Sequence, residues 1–276
     1  MKIKICAVLL SILCSLSFMA GCASEIEEDV KIYCFSAGKA DAFLISTDNS
    51  NVLIDCAESG FGDTIVNYLQ NNNIDHLDYM IVTNFNKEHV GGAAKVINGV
   101  NVVSIIQTHG ESDIKQYDKY LQAAKEKNII PQTVEEKYTF TLDEVEYTII
   151  PPQKEFYDEN NSENSSLIVS MKYKDCSFLF TSDVMEEGIT DFVESNGESY
   201  DFLKVPYHGD FQPVVEELLI NVKPKYALIT SSADEKMDDG LASMLKQYGA
   251  SVFFTKKAPV FLKCDGETIY MSYKPN

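Results

Sequence analysis

The sequence has little positive charge and few cysteines, and it lacks tryptophan. Its 23 Lys and Arg residues stand against 42 Asp and Glu residues, which gives a formal net charge of −19 at pH 7. Such an acidic chain repels phosphate backbones, and the only tight basic pair is Lys256 and Lys257, so direct nucleic-acid binding is disfavoured. The missing tryptophan excludes nothing, because a hydrophobic content of 45% still indicates a sizeable core.

The seven cysteines include no CxxC pair, which argues against a zinc site built from thiolates. Cys34, Cys56, Cys176 and Cys264 each lie in a strand-like apolar stretch. A cysteine in that setting is usually a small buried hydrophobic residue. A disulfide between Cys34 and Cys56 is an open alternative in an oxidising compartment.

The first 22 residues have the pattern of a secretory signal. Lys2 and Lys4 precede an apolar run that ends at Ala20, and Cys22 follows directly after a glycine. The segment "FMAGC" resembles a bacterial lipobox, in which Cys22 becomes the lipidated first residue of the mature chain. We predict a lipoprotein signal peptide over residues 1–22 and an extracytoplasmic protein that is lipid-anchored to the cell membrane. An uncleaved transmembrane anchor is the alternative.

Beyond the signal, the chain is predicted to form one domain. Residues 23–29 make a short acidic tether, and residues 30–276 open with three short strands. Helical periodicity appears over residues 63–72, 88–97 and 111–128, a β-rich middle follows, and the last third again alternates strands with helices. This order predicts a layered α/β sandwich.

Six segments, which occur in order, carry a family resemblance. They are "FSAGKADAFLI", "NVLIDCAE", "IDHLDYMIVTNFNKEHVGGA", "NSSLIVSMKYKDCSFLFTSD", "DFLKVPYHGD" and "VKPKYALIT". Together they resemble the metallo-β-lactamase superfamily, and more narrowly the extracytoplasmic hydrolase-like domain of the ComEC/Rec2 competence proteins and its free-standing relatives. The resemblance covers nearly all of residues 30–275. It implies a four-layer αββα sandwich with a metal site at the strand ends of one edge.

The segment "TNFNKEHVGG" matches the first metal loop of that family, which serves two metals. Asn84 and Asn86 stand where the family places the ligands of the first metal, and a carboxamide is a weak, neutral ligand for zinc. The resemblance therefore implies that this first metal site is lost. The two asparagines are predicted either to bond within the loop or to contact substrate in the vacated space.

Glu88 and His89 occupy the positions of the second metal's ligands, and both side chains can ligate. Glu88 is one methylene longer than the family's usual Asp, so the backbone or the binding mode must adjust. The backbone amides near Gly91 and Gly92, at a helix start, are predicted to receive an anion.

Later motifs supply the other candidates for the site. In "FLFTSDV", Asp183 matches the family's metal-bridging, catalytic Asp, although an acid at this point also favours a helix N-cap. In "KVPYHGD", Tyr207 and His208 occupy the positions of two adjacent histidines of the family. The sequence leaves open which of the two faces the metal. Asn164 is predicted to face the site and contact substrate, and a later histidine of the family is missing. Two further acids, Asp41 and Asp55, are expected to support the site rather than react.

These residues predict a site for at most one divalent ion, held by Glu88, His89, Asp183 and His208. Zinc is the first candidate, with manganese or iron as alternatives. The resemblance then implies a single-metal phosphoester or phosphodiester hydrolase. Because so many family positions are changed, the alternative is a non-catalytic module that binds a cell-envelope component and holds no metal. An accessory role in DNA uptake is a third reading, against which the acidic charge argues.

Overall fold

The computed structural model describes residues 29–275. Two β-sheets pack face to face, and helices cover the outer face of each sheet. The predicted four-layer αββα sandwich is therefore confirmed. The predicted signal peptide, Cys22 and residues 23–28 of the tether lie outside the described residues. Among residues 29–275, no helix has both the length and the apolar character needed to span a membrane.

The first sheet contains eight strands in the described part of the chain. They are β1 (Val30–Cys34), β2 (Phe43–Ser46), β3 (Asn51–Ile54), β4 (His76–Val82), β5 (Asn101–Gln107), β6 (Gln132–Thr133), β14 (Val260–Cys264) and β15 (Ile269–Ser272). Their order across the sheet is β15-β14-β1-β2-β3-β4-β5-β6. Neighbouring strands from β3 to β6 run parallel, and the other pairs are antiparallel.

The second sheet contains seven strands over the same described range. They are β7 (Tyr138–Leu142), β8 (Val145–Ile150), β9 (Ile168–Tyr173), β10 (Cys176–Phe180), β11 (Phe202–Lys204), β12 (Tyr226–Ile229) and β13 (Ser251–Phe254). They lie in reverse order from β13 to β7, and the strands from β10 to β13 are parallel. Each sheet thus has a parallel half whose strand ends point towards the same edge of the sandwich.

Eight α-helices occur within residues 29–275. They are α1 (Gly62–Asn71), α2 (Lys87–Val90), α3 (Ala93–Gly99), α4 (Lys115–Glu126), α5 (Asn161–Asn164), α6 (Glu186–Ser195), α7 (Val215–Val222) and α8 (Asp239–Gln247), with a 3-10 turn at Pro206–Gly209. Helices α1, α3 and α4 pack on the first sheet, and α6, α7 and α8 pack on the second.

Amphipathic periodicity explains why these helices form where they do. In α1, Ile65 and Leu69 lie four residues apart and are both fully buried against the first sheet. Side chains from the inner faces of both sheets, including Tyr147, Phe178 and Phe180, fill the space between the sheets. The sandwich core therefore holds both parallel halves in fixed relation.

The helix predicted over residues 88–97 is two short helices, α2 and α3. Gly91 and Gly92 lie between them, and a Cβ atom on Gly92 would be 2.2 Å from the carbonyl oxygen of Cys56. Only glycine permits this approach to the residues after β3. The close packing seats His89, in α2, against the end of that strand, where its carbonyl accepts a hydrogen bond from Cys56 N at 2.8 Å.

Candidate metal centre

The carboxyl ends of parallel strands from both sheets meet at one edge of the sandwich and carry a cluster of polar residues. Asp55 follows β3 directly, and Thr83 follows β4. From the second sheet, Asp183 lies just after β10, His208 lies in the turn after β11, and Thr230 follows β12. Such strand ends are the usual location of sites in α/β folds.

His89 is fully buried, and its ring is oriented by Asp55. Nδ1 of His89 lies 2.8 Å from Oδ2 of Asp55. A carboxylate accepts only, so Nδ1 carries the proton of this hydrogen bond. In the neutral ring, Nε2 therefore holds the lone pair, and Nε2 lies 3.0 Å from Oδ2 of Asp183. Thr83 fixes Asp55 in turn, through its backbone N–H at 2.8 Å and its hydroxyl at 2.5 Å.

His208 is oriented by the same logic from the second sheet. Its Nδ1 lies 2.9 Å from Oγ1 of Thr230, and that hydroxyl donates to Oδ1 of Asp41 at 2.8 Å. Because the only hydroxyl proton of Thr230 goes to Asp41, its oxygen accepts from Nδ1 of His208. Nε2 of His208 is left with the lone pair and lies 3.3 Å from Oδ2 of Asp183.

Three side chains thus direct metal-binding atoms at a common point. His89, Asp183 and His208 each offer a ligand atom, and these atoms all lie within 4.8 Å of one another. Within the described chain, Nε2 of His89, Nε2 of His208 and Oδ1 of Asp183 are buried and have no hydrogen-bond partner. The short contacts to Asp183 therefore lack hydrogen-bond alignment. The unpaired Nε2 atoms surround the carboxylate of Asp183, and each imidazole is fixed by a hydrogen bond at its Nδ1. This arrangement fits a divalent cation.

The charge balance of the cluster points the same way. Asp41, Asp55 and Asp183 are each at least 97% buried, and Lys204, which is fully buried, is the cation among them. Its Nζ atom lies 2.6 Å from Oδ2 of Asp41 and 3.6 Å from Oδ1 of Asp183. With both imidazoles neutral, about two negative charges are uncompensated in a buried site, which is costly. One divalent ion would neutralise them.

Without an ion, a proton on His89 neutralises part of the buried negative charge. Burial by itself lowers the pKa of His89, but the carboxylates of Asp183 and Asp55 outweigh it and hold that pKa well above the usual imidazole range. Burial raises the pKa of Asp183, but His89 and His208 outweigh it and hold that pKa well below its usual range. The cluster is therefore built to hold positive charge between an imidazole and a carboxylate.

The backbone around the cluster is strained. Asp55, Ala57, Ser182, Tyr207 and His208 all have positive φ angles, between 46° and 58°. Non-glycine residues adopt this conformation at a cost, and such residues gather at functional sites. In the turn after β11, the backbone at Tyr207 and His208 directs one residue of the pair inward. His208 is 4% exposed and faces Asp183, whereas Tyr207 is only half-buried.

The region of the predicted lost metal site is filled by hydrogen bonds. Asn84 is 1% exposed, and its amide donates to Ser162 O at 2.7 Å and to Ser166 Oγ at 2.8 Å. Asn86 accepts from Ser162 Oγ at 2.6 Å and donates to Glu163 at 3.2 Å. Both asparagines thus tie the loop to α5, which is one of the two roles predicted for them.

A cleft of about 440 Å³ opens beside the cluster. Its lining includes five of the predicted site residues: Asn86, Glu88, Asp183, Tyr207 and His208. Two three-residue groups could hold an ion: His89, Asp183 and His208, and Asp41, Asp55 and His89. Glu88 belongs to neither group, and its carboxylate is 3.4 Å from Lys87 Nζ. The structure thus brings Glu88 to the cleft but leaves it apart from the three converging ligands.

Two predicted contacts are located elsewhere. Asn164 is 2% exposed, and its Oδ1 accepts from Met185 N at 2.9 Å and Gly188 N at 3.0 Å, so it holds the start of α6 instead of facing the cleft. The prediction that amides near Gly91 and Gly92 receive an anion is wrong for Gly92. Both glycines are buried, and Gly92 N already donates to Ala57 O at 3.0 Å.

Lys204 and Thr230 were not among the residues predicted for the site. Lys204 is a single lysine inside the apolar run "DFLKVP", and a buried lysine in a strand requires a charged partner. That mismatch was the available signal for a buried ion pair. No comparable signal marks Thr230, because a threonine at the end of a strand is common.

Comparison with known proteins decides the family. The sequence profile of the metallo-beta-lactamase superfamily matches residues 36–231, which is well over half of the chain. The chain belongs to the metallo-β-lactamase superfamily. It is also 24% identical over 173 residues to ComE operon protein 3 of Bacillus subtilis (strain 168), a match that covers 62% of this chain and 22% of that relative. The chain therefore spans less than a quarter of the curated relative it matches.

Solved structures share the fold at low identity. The metallo-beta-lactamase fold protein YhfI from Bacillus subtilis superposes with a TM-score of 0.58 and 12% identity, covering 88% of this chain and 100% of YhfI. The diiron β-hydroxylase CmlA from Streptomyces venezuelae gives a TM-score of 0.52 at 12% identity, covering 82% and 52%. A diphosphatase from the PhnP family gives 0.50 at 10% identity, covering 86% and 98%.

Proposed function

We propose that this metallo-β-lactamase-fold protein is a phosphoester or phosphodiester hydrolase that uses a single divalent ion, most simply zinc. The observation that carries this proposal is the convergence of His89 Nε2 and His208 Nε2 on Asp183 Oδ2, at 3.0 and 3.3 Å. A divalent ion bound there would supply a nucleophilic water and polarise an ester oxygen. The manganese and iron alternatives fit the same mixed imidazole and carboxylate donors.

The side chains of this chain divide the remaining work. Asp55 and Thr230 hold the two imidazoles in the tautomer that presents Nε2, and Lys204 fixes Asp41 and Asp183. Glu88 lies at the cleft wall, where it is the fourth candidate ligand. We limit the proposal to one ion because Asn84 and Asn86, which stand where the resemblance places the first metal's ligands, hydrogen-bond with Ser162 of α5.

The cleft's charge explains why an anionic substrate would depend on the ion. Its acidic lining residues are Glu58, Glu88, Glu163 and Asp183, against two lysines, Lys39 and Lys87. Lys39 is already paired with Asp210 at 2.6 Å. An empty cleft therefore repels phosphate, and a bound divalent ion would reverse the local field. Tyr207, which lines the cleft beside Lys39, is the side chain best placed to contact the substrate.

The phosphoester class rests on the family resemblance and on the fold shared with a diphosphatase. We also propose the membrane location: a lipid at Cys22 would hold the domain on the outer face of the cell membrane, with residues 23–29 as the tether. Under this proposal the partners are the membrane and a small phosphoester or cell-envelope component, and direct nucleic-acid binding stays disfavoured.

The test is metal content measured beside activity. We expect the full chain, purified in detergent and incubated with zinc or manganese, to hold about one ion per chain. The His89→Ala, His208→Ala double variant should hold none. The loaded protein should hydrolyse an activated aryl phosphodiester, and inorganic phosphate should inhibit it. An ion without turnover would remove the enzyme proposal, and no ion at all would favour the non-catalytic binding module.

A further inference from the structure

Two buried thiols face each other across the sandwich, far from the metal centre. Cys176 is the first residue of β10 in the second sheet, and Cys264 is the last residue of β14 in the first. Each is 1% exposed, and both belong to the core between the sheets. Each thiol shifts the pKa of the other, which requires the two side chains to lie close together.

The backbone holds this pair together. Asp175, directly before Cys176, donates its backbone N–H to Gly266 O at 2.9 Å, and Gly266 N in turn lies 3.3 Å from Cys264 Sγ. A Cβ atom on Gly266, which has a φ of +99°, would meet the Lys174 side chain at 2.4 Å. The turn after β9 and the turn after β14 thus pack against each other. This contact places one cysteine from each sheet at neighbouring positions in the core.

We propose that Cys176 and Cys264 form a disulfide bond that joins the two sheets when the chain folds in an oxidising environment. The other pairing that the sequence left open, Cys34 with Cys56, does not fit. Cys34 lies in the core between the sheets, whereas Cys56 lies under the helices on the opposite face of the first sheet.

The reaction is thiol–disulfide exchange with a low-molecular-weight disulfide such as oxidised glutathione. The thiolate of one cysteine attacks that disulfide, forms a mixed disulfide and expels one glutathione thiolate. The second cysteine then attacks the protein sulfur of the mixed disulfide and expels the other glutathione. Two protons leave the cysteines and are taken up by the two glutathione thiolates, and two electrons pass to the oxidant.

The bond is formed during folding rather than afterwards. Burial raises the pKa of both thiols. Their mutual contact raises the pKa of Cys176 further and lowers that of Cys264, which still stays above its ordinary value. The reactive thiolate is therefore scarce once the two sheets have packed together. Once formed, the bond closes a long loop between the two halves of the chain. Such a constraint restricts the unfolded chain and stabilises the folded one.

Peptide mapping tests the pairing directly. The full chain is unfolded and reduced, refolded in a mixture of oxidised and reduced glutathione, and alkylated under denaturing conditions. We expect the tryptic peptides that begin at Asp175 and at Cys264 to be linked, at a mass two hydrogen atoms below their sum. Cys34 and Cys56 should carry the alkyl group. Alkylation of both Cys176 and Cys264, or a link of either to another cysteine, would overturn the proposal.

A stability measurement provides a second readout. The thermal midpoint of the oxidised wild type should fall on reduction, and the Cys56→Ala variant, a buried cysteine on the other face, should behave in the same way. The Cys176→Ala variant should show no fall on reduction. An equal response to reductant in Cys176→Ala and Cys56→Ala would also overturn the proposal.

Discussion

Oδ2 of Asp183 lies 3.0 Å from Nε2 of His89, yet the two atoms are not aligned as a hydrogen bond. Asp183 follows β10 of the second sheet, and His89 lies in α2, the helix that follows β4 of the first sheet. The pair therefore joins the two sheets of the sandwich. Because Nε2 of His89 and Oδ2 of Asp183 are not hydrogen-bonded to each other, both atoms are available as ligands of a cation. This relationship, with His208 as the third partner, underlies the proposed function.

Replacing Asp55 by Asn should weaken metal binding without removing a ligand. The carboxylate of Asp55 fixes the Nδ1 proton of His89, and partners of this kind typically change metal affinity by about 10- to 100-fold. We expect a loss of zinc affinity in that range, measured by competition with a chromophoric chelator. The control is Asp118→Asn, an exposed residue of α4, which should keep wild-type affinity. Equal affinity in both variants would show that Asp55 does not orient the ligand.

Three of the four candidate ligands could be grouped from the sequence, but the way they are held could not. The order of motifs indicated His89, Asp183 and one residue of the Tyr207–His208 pair, together with Glu88, which the structure leaves apart from them. Choosing His208 required the positive φ angles of the turn after β11, which no residue type there announces. The fold was predictable because strand and helix periodicities agree with the motif order over the whole domain.

The asparagines show where the sequence leaves two roles open. Asn84 was expected either to bond within its loop or to contact substrate, and Asn164 was expected to face the site, but their hydrogen-bond partners come from segments distant in the chain: Ser162 and Ser166 for Asn84, and Met185 for Asn164. A buried amide and a substrate-binding amide have the same sequence signature. Only the packing of α5 between the first metal loop and the start of α6 separates the two roles.

Gly92 should tolerate no side chain, whereas Gly60 should. A Cβ atom on Gly92 would stand 2.2 Å from Cys56 O, while nothing lies within 4 Å of a Cβ on Gly60. Because backbone must move to relieve that clash, we expect Gly92→Ala to lose roughly 3 kcal/mol or more of unfolding free energy. Gly60→Ala should change it by less than about 0.5 kcal/mol. Urea denaturation of both variants measures this, and a similar stability would contradict the packing described for α2 and α3.

Acid should weaken the junction between β10 and β11 through Asp201. Its Oδ2 accepts from Ser177 N and Ser177 Oγ, each at 3.0 Å, and its Oδ1 lies 2.8 Å from Lys225 Nζ. Burial raises the pKa of Asp201, but Lys225 and the Ser177 donors outweigh it, so the folded pKa is lowered. A lowered folded pKa means that Asp201 stabilises the fold above its unfolded pKa of about 3.9 and loses this contribution as the pH falls through the folded value.

The measurement is the unfolding free energy of the wild type and Asp201→Asn against pH. At pH 7 the variant should be less stable by about 1.5–3 kcal/mol, the usual value of hydrogen bonds to a charged group. The difference should shrink steadily as the pH falls below about 4, because the wild type then loses the charge that the variant never had. A pH-independent difference would mean that the charge of Asp201 does not matter and that only its shape does.

Lys204 should be among the residues most important for stability, although it does not lie in the cleft. Its ammonium is fully buried, donates to Ser182 O at 2.6 Å and pairs with Asp41 at 2.6 Å. Lys204→Met would leave the carboxylate of Asp41 buried without its cation, and breaking a buried pair in this way costs about 3–5 kcal/mol. Chemical denaturation should show a loss of that size, against almost none for Lys172→Met, an exposed lysine on β9.

The double variant Lys204→Met, Asp41→Asn separates charge from packing. Removing the stranded carboxylate should restore part of the lost stability, because the neutral amide still accepts from Thr230 and has no buried charge to compensate. If the double variant is no more stable than Lys204→Met, the loss arises from packing and from Ser182 alone. If it recovers, the loss arises mainly from the uncompensated carboxylate of Asp41, and the buried ammonium is retained because it balances the buried carboxylates of Asp41 and Asp183.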